Sequence, residues 1–136
     1  AQHLAAEFSG RFYYDRAPLN SEALHVNTSF LTAVANDYSY NEVYSRMVRA
    51  SGRKGDILVG ISTSGNSQNI IQALKTAKEL GMITVSLSGE GGGLMREYSD
   101  CIFPIPSKDT PRVQECHIMI GHILCEIVES KLFPRQ

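Results

Sequence analysis

Three short apolar runs govern what this chain can fold into: Asp56 to Ile61, Met82 to Leu87 and Cys101 to Ile105. They are continuous rather than alternating, as expected of parallel strands covered on both faces. A stretch with helical spacing follows each one. Ser67 to Leu80 carries Ile70, Ile71, Leu74 and Ala77 at turn spacing and is stopped by Gly81. A short helix is expected around Leu94 to Tyr98, and a long one is opened by Pro111 and runs to about Leu132. Strand followed by helix, three times over, implies right-handed crossovers and a mainly parallel sheet with helices on both faces. The expected class is therefore α/β, a three-layer α/β/α sandwich. The 136 residues, 43% of them hydrophobic, suit one domain spanning 1–136.

The upstream half is less regular. His3 to Phe8 reads as a helix ended by Ser9-Gly10, and Arg11 to Ser21 as a loop punctuated by Asp15, Pro18 and Asn20. Ala23 to Val26 is expected to be a short strand. Ser29 to Ala35 reads as a short helix closing at Asn36-Asp37, Glu42 to Ala50 as another, and Gly52 to Gly55 as a turn. Ala1 already lies in helix interior with no capping residue before it, so an upstream portion carrying a further strand is expected.

A net charge of -1 argues against a general nucleic-acid binder or a protein drawn to anionic membranes. There is no apolar run of about 18 residues to span a bilayer, and the first residues lack the order of a signal peptide. Cys101, Cys116 and Cys125 are odd in number and show no CxxC spacing, which fits reduced thiols in the cytoplasm. Cys125, in an apolar helical run, reads as a small core residue.

The richest candidate site is Gly60-Ile61-Ser62-Thr63-Ser64-Gly65-Asn66-Ser67, where the first strong strand ends and a helix begins. Free backbone N–H groups and the positive end of a helix dipole favour a phosphate there, and carboxyl ends of parallel strands are where such folds bind ligands. The lack of a lysine or Walker pattern argues against a nucleoside triphosphate with magnesium. The competing explanation is a Ser/Thr-rich helix cap, but one hydroxyl would serve for that and Ser62, Thr63, Ser64 and Ser67 supply four. Ser88 to Gly93, with three consecutive glycines, reads as a flexible turn rather than a second ligand loop. His3 and Glu7 share a helix face, either as metal ligands or as a surface pair. In the last helix Glu115 and His122 share a face, whereas Gln114 lies about 80° from His122. His117 and His122 sit among apolar residues where a core histidine is common, and spacing does not select the functional pair. Asn36-Asp37 reads as a cap or turn.

These segments together resemble the sugar isomerase (SIS) superfamily, whose domain is flavodoxin-like, and within it the phosphoheptose isomerases. The resemblance rests on HLAAEFSGR at His3 to Arg11, AND at Ala35 to Asp37, GDILVGISTSGNS at Gly55 to Ser67, SGEGGG at Ser88 to Gly93 and RVQECHIMIGH at Arg112 to His122. It implies that Ser62, Thr63, Ser64 and Ser67 hold a sugar phosphate, with Glu7, Asn36, Asp37 and Gln114 also on the substrate. It implies a zinc site of His3, Glu7, Gln114 and His122, with Glu7 and His122 as the acid–base pair. The implied activity is aldose–ketose isomerisation between sedoheptulose 7-phosphate and D-glycero-D-manno-heptose 7-phosphate in lipopolysaccharide heptose synthesis. A cytoplasmic homotetramer with sites at subunit interfaces, binding neither nucleic acid nor membrane, is implied as well. The family's N-terminal helices, first strand and Asn-Gly-Gly substrate loop have no counterpart in these 136 residues. Two other SIS roles compete. One is a non-catalytic partner-binding protein like the homologue associated with the bacterial replication initiator, which lacks counterparts of Glu7, His122 and Ser64. The other is a sugar-phosphate-sensing regulatory domain.

Overall fold

The computed structural model describes residues 1–135. Helix α1 spans Gln2–Ser9, α2 Thr28–Asp37 and α3 Val43–Ser51, the last preceded by a 3-10 turn at Tyr40–Glu42. Strand β1 (Ile57–Ser62), helix α4 (Gln68–Glu79) and strand β2 (Ile83–Ser88) then form one crossover unit. A 3-10 helix at Gly93–Tyr98 leads to β3 (Cys101–Pro104), and α5 (Thr110–Leu132) closes the chain, with Pro111 in its first turn.

The sheet is wholly parallel, in the order β1-β2-β3, with Ile57 opposite Ile83 and Val85 opposite Cys101. Because side chains alternate across a strand, Leu58, Gly60 and Ser62 turn towards α4 while Ile57, Val59 and Ile61 turn away. On the α4 side two clusters make the core. Val48, Ala73, Ala77 and Met82 form one, and Ile71, Leu74 and Met95 form the other. Leu74 and Leu87 are completely buried, each contributing about 2 kcal/mol by removal from water. Gly81 takes φ +73 and donates to Lys78 O, ending α4 where the sequence places its stop.

The opposite face is only partly covered. Helix α5 crosses the carboxyl end of the sheet, where buried His117 bonds to Ser88 O, but Ile57, Val59 and Ile83 remain exposed. Continuous apolar runs thus correctly mark parallel strands, while the expected cover on both faces is incomplete at the amino ends of β1 and β2.

Residues 23–26 form a turn rather than the expected strand, with Val26 donating to Ala23 O and its side chain exposed. Among the described residues no strand lies beside them, and four residues of strand propensity without a partner do not make a ladder. The helix after them starts at Thr28, capped by Asn27 Oδ1 accepting from Phe30 N at 3.0 Å, and closes at Asn36-Asp37 as expected, with both residues in its last turn.

Candidate active site

The serine-rich segment forms the turn between β1 and α4. Gly65 N donates to Ser62 O, and Ser67 occupies the N-cap position of α4. The Ser67 hydroxyl makes no cap hydrogen bond. It meets Ser62 Oγ at 2.8 Å instead, and Ser62 Oγ lies 3.3 Å from Ser64 Oγ. Ser67 is thus not used as a side-chain cap: the Ser62, Ser64 and Ser67 hydroxyls meet at a helix N-terminus, where an anion could be held, and Ser64 Oγ also accepts from Asn66 N at 3.1 Å.

What holds this loop is the glycine-rich segment after β2. Gly89 N donates to Thr63 O, Met95 N to Gly65 O and Leu94 N to Asn66 Oδ1. Gly65 is left-handed at φ +68, and a Cβ there would overlap Gly92 O and come within 2.6 Å of Gly92 C. Gly91, Gly92 and Gly93 are left-handed too. The three glycines expected as a flexible turn are instead a docked support on which the serine loop rests.

A cavity of about 420 Å³ opens beside the loop, within the usual range for small-molecule sites. Ile61, Ser62, Thr63 and Ser67 line it from the sheet side, Ala1 and Leu4 from α1, and Gln114, His117 and Ile118 from α5. Helices α1 and α5 approach closely at Gly121, where a Cβ would stand 2.5 Å from Leu4 Cδ2. That contact brings the ends of the chain together. His3 Nε2 lies 2.9 Å from His122 Nε2, so one ring donates and the other accepts, and 3.4 Å from Glu7 Oε1. One donor atom from each of His3, Glu7 and His122 lies within 4.8 Å of the other two. The Phe12 ring packs 5.7 Å from His122.

Gln114 faces the cavity, whereas Glu115 pairs with Arg112 at 2.6 Å on the surface. Of the two, only Gln114 is among the cavity-lining residues, although Glu115 is the one that shares a helix face with His122. Ser64 is exposed at the loop's outer edge. Asn36 and Asp37 sit exposed in the last turn of α2, bonded to one another at 3.1 Å, and are not among the cavity-lining residues. Cys125 is buried as expected, and burial followed by the nearby Glu7 charge pushes its thiol pKa up.

Sequence reasoning passed over two residues beneath this site. Arg16 and Glu129 form an ion pair at 3.2 Å, and both side chains are almost wholly buried. Burial pushes the Glu129 pKa up, but the N–H groups of Tyr13 and Phe12 and the Arg16 guanidinium outweigh it and hold the carboxyl below its ordinary range. The signal for Glu129 was present in α5. Val113, His117, Gly121, Cys125 and Glu129 recur every fourth residue, and they are the buried stripe of that helix.

Against known proteins, residues 1–89 match the SIS domain family. The phosphoheptose isomerase of Clostridium acetobutylicum is 56% identical over 133 residues, covering 98% of this chain and 68% of that protein. The phosphoheptose isomerase of Aneurinibacillus thermoaerophilus is 54% identical, covering 98% of this chain and 67% of its own length. Among solved structures, a phosphoheptose isomerase from Francisella tularensis superposes with a TM-score of 0.90 at 34% identity, over 94% of this chain and 69% of that one. The Neisseria gonorrhoeae enzyme superposes with a TM-score of 0.83 at 43% identity, over 93% of this chain and 67% of that one. The chain thus spans about two thirds of the length of each.

Proposed function

The chain belongs to the SIS-domain family, among its phosphoheptose isomerases, and on that premise we propose that it interconverts sedoheptulose 7-phosphate and D-glycero-D-manno-heptose 7-phosphate for lipopolysaccharide heptose synthesis. The observation that carries this reading is the meeting of His3, Glu7 and His122 on α1 and α5, the helices whose Leu4, Gln114 and Ile118 wall the serine-loop cavity, although none of the three is itself a lining residue.

In this reading the phosphate rests on Ser62, Thr63, Ser64 and Ser67 and the N-terminus of α4, which anchors one end of the sugar. Gln114 contacts the sugar from α5, and Asn36 and Asp37 reach it only where the substrate extends beyond the cavity. The Glu7 carboxylate removes a proton from C1 of the ketose while a ring N–H of His122 gives one to the C2 carbonyl oxygen, leaving a cis-enediol. Glu7 then returns its proton to C2 as His122 takes the O1 proton, giving the aldehyde with no net change in the enzyme. Acid–base assistance of this kind contributes about 10²–10⁴-fold.

Two imidazole nitrogens and a carboxylate oxygen within 4.8 Å of one another are a donor set that suits zinc. His3, Glu7 and His122 would hold it, with the Gln114 amide as a weaker fourth ligand, and bound zinc supplies Lewis-acid stabilisation of a developing oxyanion. The reading also carries a cytoplasmic homotetramer. What supports assembly is the exposed apolar surface of Ile57, Val59 and Ile83 on the sheet and of Met119, Ile123 and Ile127 on α5. No helix among the described residues is long and apolar enough to cross a membrane.

A coupled assay for heptose phosphate formation tests the reading. Turnover of sedoheptulose 7-phosphate is expected, and none with zinc supplied would favour the partner-binding alternative.

A further inference from the structure

We propose that Arg16 and Glu129 are positioning residues for the acid–base centre, an inference that rests on the isomerase reading above. Helix α1 has eight residues, too few to hold its shape alone, and Glu7 sits in its last turn. The residue that ends it, Gly10, has φ -88, so the usual left-handed cap is missing and the last carbonyls need other partners.

Arg16 supplies most of them, with Leu19 N also donating to Phe8 O at 3.1 Å. Its Nη2 donates to Glu7 O at 2.8 Å, and its Nη1 to Phe8 O at 2.7 Å and Gly10 O at 3.0 Å. Its Nε donates to Glu129 Oε1 at 3.2 Å. Glu129 in turn accepts from Phe12 N at 3.0 Å and Tyr13 N at 2.8 Å. The Phe12 ring that this fixes is the one packed against His122. One guanidinium and one carboxylate therefore tie down the backbone under Glu7 and the ring beside His122. Neither touches the cavity: its lining includes neither residue. A lysine carries the charge but not the planar fork, so it does not reach the carboxylate and three carbonyls together.

Arg16→Lys separates positioning from mere stability. Isomerisation by the full protein should lose about 10–100-fold in kcat, the usual effect of a group that orients a ligand or catalytic residue. KM should stay within about threefold, because the serine loop is untouched. In the metal-free protein the imidazole NMR signals of His3 and His122 should shift while that of His25 stays. An unchanged kcat in a folded Arg16→Lys protein overturns the proposal. So does a fall in kcat that only follows the fraction unfolded, as does the absence of any shift at His3 and His122. Should the wild type show no turnover, the isomerase reading fails, and the histidine signals alone decide the positioning claim. Their shift upholds it and their constancy overturns it.

Discussion

Gly65→Ala gives the sharpest test of how the serine loop is held. The residue is left-handed at φ +68, a conformation that costs an alanine about 1–2 kcal/mol. Its new Cβ would overlap Gly92 O and stand 2.9 Å from Gly93 N, both main-chain atoms. Neither side can turn a rotamer to escape, because Met95 N is bonded to Gly65 O and Gly89 N to Thr63 O across the same junction. Overpacking of this sort adds about 1–3 kcal/mol, giving a total of about 2–5 kcal/mol. For a domain of this size that lowers Tm by about 8–20 °C. Gly91→Ala is the matched control: φ is +76, but nothing lies within 4 Å of its Cβ. Only the conformational term applies there, a loss of about 4–8 °C. Thermal unfolding of both variants, with calorimetry of inorganic phosphate binding, reads the difference. Gly65→Ala should also weaken phosphate binding, since relieving the overlap parts the two loops. Equal destabilisation by the two substitutions would refute the claim that the glycine segment supports the serine loop.

Other expectations concern the helices and the sheet edge. Gly121→Val should destabilise by about 1–3 kcal/mol and lower turnover disproportionately, because it wedges Leu4, and with it α1, away from α5; unchanged kinetics would break that link. Chelation should abolish turnover while leaving phosphate binding intact, and zinc should restore it, as rates and calorimetry with EDTA will show. Asp100 is held at about 2, below its ordinary 3.8, by Lys78 first and then by the Thr84 backbone and hydroxyl. A depressed carboxyl stabilises the fold fully above its unfolded pKa, so this contribution should fade as pH falls from about 4 to about 2. Denaturant midpoints of wild type and Asp100→Asn should therefore converge over that window; a constant gap would contradict the assignment.

In the second half, turn-spaced apolar residues located α4 and α5 because each buries one face, and continuous apolar runs located the three strands, of which β1 and β2 pack against the core. The Ala23 to Val26 turn was misread because propensity alone says nothing about the absence of a neighbouring strand. The serine loop stood out in the sequence by its hydroxyl density, but its support did not. Three glycines look flexible until their left-handed turns are seen locked against Gly65. The pairing of His3 with His122 bridges 119 residues and depends on the α1–α5 crossing at Gly121, which no local pattern encodes. Arg16 and Glu129 escaped notice because a charge in a loop and a charge on a helix both read as solvated until burial joins them.

Proton NMR of sedoheptulose 7-phosphate with the wild type and with Glu7→Gln tests the central claim most directly. The account predicts aldose signals growing in with the wild type, and a rate about 10²–10⁴-fold lower in the variant, with sugar-phosphate binding retained in both. Equal rates in the two proteins, or no aldose from the zinc-supplied wild type, would contradict it.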